Sequence, residues 1–154
     1  MLKKIFILIL LFFVNSCGYE AIHSNKNSLN YNFSISQLTF LGDRTVNLKI
    51  KEKLNNYTLS KKNKNYILKI SSDVKKIIIA KDTAGDPTSF KLTVIINIEV
   101  LMDNNFKNNL QIVENFNYNN NSNKFDLKRY EVEIMNNLAE AATAKIIYKL
   151  SNIQ

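Results

Sequence analysis

The sequence predicts an α+β domain in which two helices pack on one face of a four-stranded, mostly antiparallel sheet, in the order β-α-β-β-β-α. Three observations predict this fold. Two stretches repeat apolar residues at helical spacing, four stretches have strand composition or alternate apolar with polar residues, and short connections join the last three strands. Because each helix has one apolar stripe and the sheet one strongly apolar face, stacking the helices on that face buries both.

The first strand and the first helix occupy the start of the predicted domain. Apolar and polar residues alternate over residues 32–41, and a change of parity near Gln37 indicates a β-bulge. Gly42 then breaks the strand, and Asp43 is a candidate N-cap. A helix is predicted over residues 44–59, because apolar residues recur there at intervals of four, four and three, namely Val46, Ile50, Leu54 and Tyr57.

Three strands and a long helix follow. The strands are predicted over residues 65–80, 90–103 and 110–119, with a turn at Gly85-Asp86-Pro87 between the first two. Apolar residues in the strands and helices are assigned to the core. The face of the middle strand that carries Asn97 and Glu99 is half-polar, so it stays partly wet or meets a partner. The last helix is predicted over residues 125–153, with a stripe of Leu127, Tyr130, Ile134, Leu138, Ala141, Ala142, Ile146, Leu150 and Ile153.

Composition excludes several kinds of site. The chain has one cysteine, Cys17, and one histidine, His23, so it forms no internal disulfide and has no Cys/His cluster for zinc. Its three glycines form no phosphate-binding loop. Asp82 and Asp86 flank a glycine and resemble a weak metal site, but a solvated turn is the default interpretation. The sequence therefore predicts no metal, no cofactor and no enzymatic activity.

The N-terminus has the pattern of an export signal. Lys3 and Lys4 precede ten consecutive apolar residues, 5–14, which reach only about half-way across a ~30 Å hydrocarbon core. This run is typical of a signal peptide over residues 1–16, with an uncleaved anchor as the alternative. Residues 17–30 are polar and are interpreted as a tether, which leaves residues 31–154 as the globular domain.

The residues around the only cysteine resemble a bacterial lipobox, with Val14, Ser16 and then Cys17. The resemblance implies that Cys17 receives a diacylglycerol on its sulfur and becomes the new N-terminus. Two or three acyl chains on one residue would hold the protein on the membrane almost permanently. The alternative is a free thiol in a soluble secreted protein.

Basic residues exceed acidic ones, for a formal net charge of +8. Lysines cluster in two places, at Lys61, Lys62 and Lys64 and again at Lys75 and Lys76. Such clusters bind phosphates of nucleic acids or of anionic lipid headgroups. A lipid-anchored, exported protein does not meet nucleic acid, so anionic lipid is the favoured ligand. A solubilising surface is the alternative.

From Cys17-Gly18-Tyr19 onward the chain resembles the lipopolysaccharide-assembly lipoproteins (LptE) of the outer membrane. The similarity continues in the Gly85-Asp86-Pro87 turn, in Phe90-Lys91-Leu92-Thr93 at the start of the strongest strand, and in Tyr118-Asn119 at the end of the last strand. The final helix contains the alanine-rich Leu138-Ala139-Glu140-Ala141-Ala142. The resemblance covers nearly all of the chain after residue 16.

The resemblance implies a function. The protein would be anchored by its lipid on the periplasmic face of the cell outer membrane, a destination that Gly18 also favours. There it would plug and help assemble the LptD-type outer-membrane β-barrel protein and assist lipopolysaccharide insertion into the outer leaflet. Lys81 and Lys91 would contact anionic lipid. In the family a basic residue usually precedes the main strand, whereas here Ser89 and Phe90 fill that stretch and Lys91 follows.

The sequence leaves two alternative functions open. One is another envelope lipoprotein, either a barrel-assembly accessory or a periplasmic binding module, which would share the anchor but need no lipopolysaccharide. The other is an envelope hydrolase that uses Asp82, Asp86 or Glu99 as its acidic residues.

Overall fold

The computed structural model describes residues 31–59, 62–102 and 105–153, which belong almost entirely to a compact unit over Asn32–Gln154. The predicted signal peptide (1–16) and tether (17–30), including Cys17, lie outside the described residues, as does Lys61. Their assignments stay predictions.

The secondary-structure elements follow in the predicted order. Seven segments are formed: β1 (Phe33–Gly42), α1 (Arg44–Leu54), a 3₁₀ turn (Asn55–Tyr57), β2 (Lys64–Lys81), β3 (Pro87–Met102), β4 (Asn105–Asn119) and α2 (Lys124–Ser151). The α+β class and the β-α-β-β-β-α order are confirmed.

The sheet has the strand order β1-β2-β3-β4. β1 lies parallel to β2, while β2–β3 and β3–β4 are antiparallel hairpin pairs. A parallel pair needs a crossover, and α1 supplies it between β1 and β2. The pairing of β1 with β2 is irregular between Ile35 and Gln37, which confirms the bulge predicted there.

One face of the sheet and one stripe of each helix form the core. Alternate residues of β3 from Phe90 to Val100 are all buried, and so is the matching face of β2 from Tyr66 to Ser72. The buried residues include Tyr66, Leu68 and Ile70 on β2, Val94, Ile96, Ile98 and Val100 on β3, Val46, Ile50 and Leu54 on α1, and Ile134, Ala142, Ile146 and Leu150 on α2. The helices are also joined to each other, because Lys53 Nζ lies 2.7 Å from Glu140 Oε1.

The junction between β1 and α1 is bonded to β2. Asp43 caps α1, since its Oδ1 accepts a hydrogen bond from Val46 N at 2.9 Å. Asp43 N donates to Ser72 O at 3.2 Å, and Ser72 Oγ donates to Asn47 Oδ1 at 2.8 Å. These bonds set where α1 leaves the sheet and therefore which stripe of α1 is buried.

Several boundaries differ from those predicted. α1 ends at Leu54 and continues as a 3₁₀ turn, because Asn55 and Asn56 are poor helix formers. β3 begins at Pro87, since proline is tolerated as the first residue of a strand. Ala141 is exposed, whereas Ala139 is buried. The stripe on α2 advances by four residues through Ala142, which leaves Ala141 about 100° away from it.

Candidate functional site

The exposed end of the β2–β3 hairpin carries both lysines that were predicted to contact anionic lipid, Lys81 and Lys91. Every residue from 75 to 86 is exposed. Asp82 closes the turn, because its Oδ1 accepts hydrogen bonds from Ala84 N at 3.0 Å and from Asp86 N at 2.8 Å. Gly85 completes it at φ +89°, a conformation that favours glycine. Asp82 and Asp86 thus form a solvated turn.

Three consecutive isoleucines lie on this hairpin end. Ile77, Ile78 and Ile79 are 53, 47 and 44 % exposed, so assigning them to the core by composition was wrong. α2 begins only at Lys124, after the end of β4. No described helix covers the last residues of β2, which are exposed. The hairpin end therefore presents apolar side chains to its surroundings.

The lysines predicted to bind lipid both lie on this hairpin. Lys91 sits on β3 between the buried Phe90 and Leu92, so it points to the open face of the sheet, away from the helices. Its partners across the sheet are Ile77 and Asn117. Lys81 is exposed at the end of β2, opposite Pro87 and three residue pairs from Lys91.

Strand alternation adds Lys75 to this group. Lys75 pairs with Thr93, directly beside the Ile77–Lys91 pair, so Lys75 and Lys91 are diagonal neighbours on the open face. In the sequence Lys75 and Lys76 form one cluster. Period-two alternation places the two lysines on opposite faces, and that signal was sufficient to separate them.

Lys76 has a structural role on the helix side of the hairpin. Its Nζ lies 2.5 Å from Glu131 Oε1 on α2 and 4.0 Å from the centre of the Phe90 ring. Tyr118 Oη donates to the same carboxylate oxygen at 2.7 Å. Burial and the bond to Glu131 raise the pKa of Tyr118, so this hydroxyl stays protonated. The network fixes the start of α2 against the base of the hairpin.

Glu131 makes this network sensitive to acid. Burial by itself would raise the pKa of Glu131, but the hydrogen bonds from Lys76 and Tyr118 outweigh it and lower the pKa. A lowered pKa adds stability that is complete above the ordinary pKa of glutamate and is lost as the pH falls from that value through the lowered pKa of Glu131.

We therefore expect Glu131→Gln to lower the free energy of unfolding by about 1–2 kcal/mol at pH 7, since it removes a charged acceptor of two bonds. The difference from wild type should shrink as the pH falls through the lowered pKa of Glu131, where Glu131 itself becomes protonated. Urea unfolding at several pH values measures it. Glu133→Gln, an exposed residue on the same helix, is the control. Equal pH dependence of the Glu131 variant and the wild type would contradict this role.

The open face of the sheet is polar toward the other end of the strands, as predicted. Asn97 and Glu99 are exposed there. Gln111 Nε2 donates to Asn97 Oδ1 at 2.8 Å, and Lys69 Nζ lies 3.5 Å from Glu99 Oε2. A shallow groove of about 760 Å³ runs over these residues. No described helix packs on this face.

Glu99 is not brought together with Asp82 and Asp86, the other acidic residues considered for hydrolysis. Glu99 pairs across the sheet with Lys69, which is twelve residues along β2 from Lys81, or about 40 Å at the usual strand rise. Asp82 and Asp86 lie beyond that end. Within residues 31–59, 62–102 and 105–153, no three side chains of the metal-ligating types come together.

Solved structures with this arrangement include three bacterial lipoproteins. Rare lipoprotein B from Shewanella oneidensis matches with a TM-score of 0.56 at 11% identity, over 75% of this chain and 97% of that one. A minor lipoprotein from Acinetobacter baumannii matches with a TM-score of 0.57 at 12% identity, over 79% and 91%. Lipoprotein B from Nitrosomonas europaea matches with a TM-score of 0.55 at 16% identity, over 77% and 86%.

This chain shares the fold of those lipoproteins. The likeness extends over most of each structure, so it covers both helices and the sheet rather than one motif. No family model matches the sequence, and neither does any curated protein. Among the helices that the structure describes, none is both long and apolar enough to cross a bilayer.

Proposed function

We propose that this chain is an outer-membrane lipoprotein of the lipopolysaccharide-assembly type, which plugs and helps assemble an LptD-type β-barrel and assists insertion of lipopolysaccharide. The observation that carries the proposal is the fold. A sequence with a lipobox-like Cys17 folds into the two-layer arrangement of solved structures that are named lipoproteins. The sequence resemblance to the LptE family adds the partner and the substrate.

The anchor would come from Cys17. Each buried CH₂ group contributes about 0.8 kcal/mol to membrane binding, and one myristoyl-sized chain binds only marginally. Two or three chains on Cys17 would instead hold the domain at the membrane for its lifetime. The polar segment over residues 17–30 would then let the domain reach a barrel in the same membrane.

The hairpin end would contact the lipid. Lipopolysaccharide combines anionic phosphates with acyl chains, so its binding site needs cations beside apolar surface. Lys75 and Lys91 are diagonal neighbours on one face. Ile77 is directly opposite Lys91 and two residues along β2 from Lys75, and Lys81 is exposed at the tip of the hairpin. Near a membrane surface each lysine contributes about 1 kcal/mol toward an anionic headgroup. The mechanism is binding and scaffolding, with no bond made or broken.

The decisive experiment is extraction of the tagged full chain from its native membrane in mild detergent. We expect an outer-membrane barrel protein to co-purify, and mass spectrometry to find acyl groups on Cys17. Conditional depletion should reduce lipopolysaccharide at the cell surface. A monomer without a barrel partner, or an unacylated Cys17, would overturn the proposal. Depletion that leaves surface lipopolysaccharide unchanged would favour a different envelope lipoprotein.

The lysines on the open face give a sharper prediction. Replacing Lys75 and Lys91 together by alanine should weaken binding to vesicles that contain lipopolysaccharide by about 10–30-fold, since two headgroup contacts are lost. Lys81→Ala tests the tip separately, and a smaller loss is expected. Lys51→Ala with Lys128→Ala removes the same charge from exposed helix positions and is the control. Equal losses in the two double variants would mean that net charge alone drives binding.

A further inference from the structure

The outer edge of β4 is unpaired within the part of the chain that the structure describes. β4 is the last strand of the sheet and pairs only with β3. Half of its backbone N–H and C=O groups therefore point away from the sheet. Such an edge is a template for another extended strand.

Natural proteins usually protect an edge of this length with charges, proline or a bulge. From Asn108 to Asn119 the pairing of β4 with β3 is continuous, because the only irregularity lies nearer the start of the strand. This stretch has no proline, and its only charged residue is Glu114. Glu114 is already neutralised by Lys145, whose Nζ lies 2.5 Å from Oε1. The edge is therefore straight and electrically neutral.

The side chains along this edge indicate what it pairs with. Half of them are amides, namely Asn108, Asn109, Gln111, Asn115, Asn117 and Asn119. An amide carries both donors and acceptors, so the amides of one strand can bond those of an antiparallel copy, whereas a strand lined with lysines or with carboxylates repels its own copy. At the middle of the edge Val113 is 47 % exposed, and Phe116 nearby is 45 % exposed. A partner strand would cover both.

We propose that β4 pairs antiparallel with β4 of a second copy of this chain, with the two-fold axis near Val113, to give a continuous eight-stranded sheet. A closed symmetric dimer needs a surface that is complementary to itself, and a neutral amide-rich strand meets that condition. The molecule is basic overall, with a formal net charge of +8 for the full sequence and about +6 once residues 1–16 are removed, so the two copies repel at long range. The dimer should therefore strengthen as salt is added.

The test is a charge swap at the centre of the edge, made in the full chain purified in detergent. Wild type should sediment as a dimer that dissociates on dilution. Val113→Lys and Val113→Glu each place like charges together and should raise the dissociation constant at least about tenfold. An equimolar mixture of the two variants should restore a dimer, because lysine of one copy then faces glutamate of the other.

Control variants separate pairing from a general effect of charge. Thr93→Lys and Thr93→Glu lie on the same face but on β3, an interior strand, and should leave dissociation unchanged. Circular dichroism checks that all variants fold. A wild type that stays monomeric at every concentration, or a mixture of Val113 variants that stays monomeric, would overturn the proposal. Because these readouts involve neither a barrel nor lipopolysaccharide, the proposed function stands or falls separately.

Discussion

Replacing Gly42 by alanine is expected to destabilise the domain by about 3 kcal/mol or more, although it adds only one methyl group. Gly42 has φ +97°, which side chains rarely adopt. An alanine Cβ at this position would lie 1.9 Å from the Ser72 carbonyl oxygen, so the backbone of β1 or β2 has to move. The same movement would strain the bond from Asp43 N to Ser72 O. Urea unfolding of the purified domain measures the loss.

Gly85→Ala is the matched control for this prediction. Gly85 has a similar φ of +89°, but a Cβ added there would meet nothing within 4 Å. Its expected loss is about 1 kcal/mol, the effect of backbone conformation alone. The difference between the two variants therefore isolates the clash with β2. Equal losses would mean that β1 and β2 are not held together at this point in solution.

Tyr66→Ala is expected to lower the free energy of unfolding by about 3–5 kcal/mol. Tyr66 is fully buried near the start of β2, and its ring lies 5.8 Å from the ring of Phe33 on β1. Removing the ring leaves a cavity between the sheet and α2, which the surrounding side chains cannot fill completely. Because small domains are stable by only about 5–15 kcal/mol, the variant should unfold at much lower urea concentration.

Tyr66→Phe separates the ring from its hydroxyl. Tyr66 Oη donates a long hydrogen bond to Leu150 O, at 3.5 Å, and burial raises the pKa of this hydroxyl so that it remains protonated. Losing so long a bond should lower stability by about 1 kcal/mol or less. A phenylalanine variant as unstable as the alanine variant would show that the hydroxyl, rather than packing, is essential.

The candidate site was only partly predictable from the sequence. Lys81 and Lys91 were predicted from the family resemblance, and strand alternation was enough to place Lys75 on the face of Lys91. The exposure of Ile77 was not predictable, because three isoleucines in a row are equally typical of a buried strand. Whether they are buried depends on how far α2 extends under the hairpin. That is a property of two elements more than thirty residues apart.

The network around Glu131 shows the same limit. Glu131 lies near the start of a helix, where the helix dipole is sufficient to explain an acidic residue. Its bonds to Lys76 and Tyr118 join positions 55 and 13 residues apart. Sequence spacing carries no signal for contacts that depend on where α2 docks against the hairpin.

The order of the elements, the buried faces of β3 and α1, the bulge near Gln37 and the cap at Asp43 were determined by the sequence alone. Each depends on residues within one or two turns of chain, where periodicity and capping chemistry act directly. The tertiary structure alone decided which apolar residues stay exposed, which lysines on one face become neighbours, and which edge of the sheet is left unpaired. Those features depend on strand register and on how much of the sheet the helices cover. Both are set by packing between distant segments.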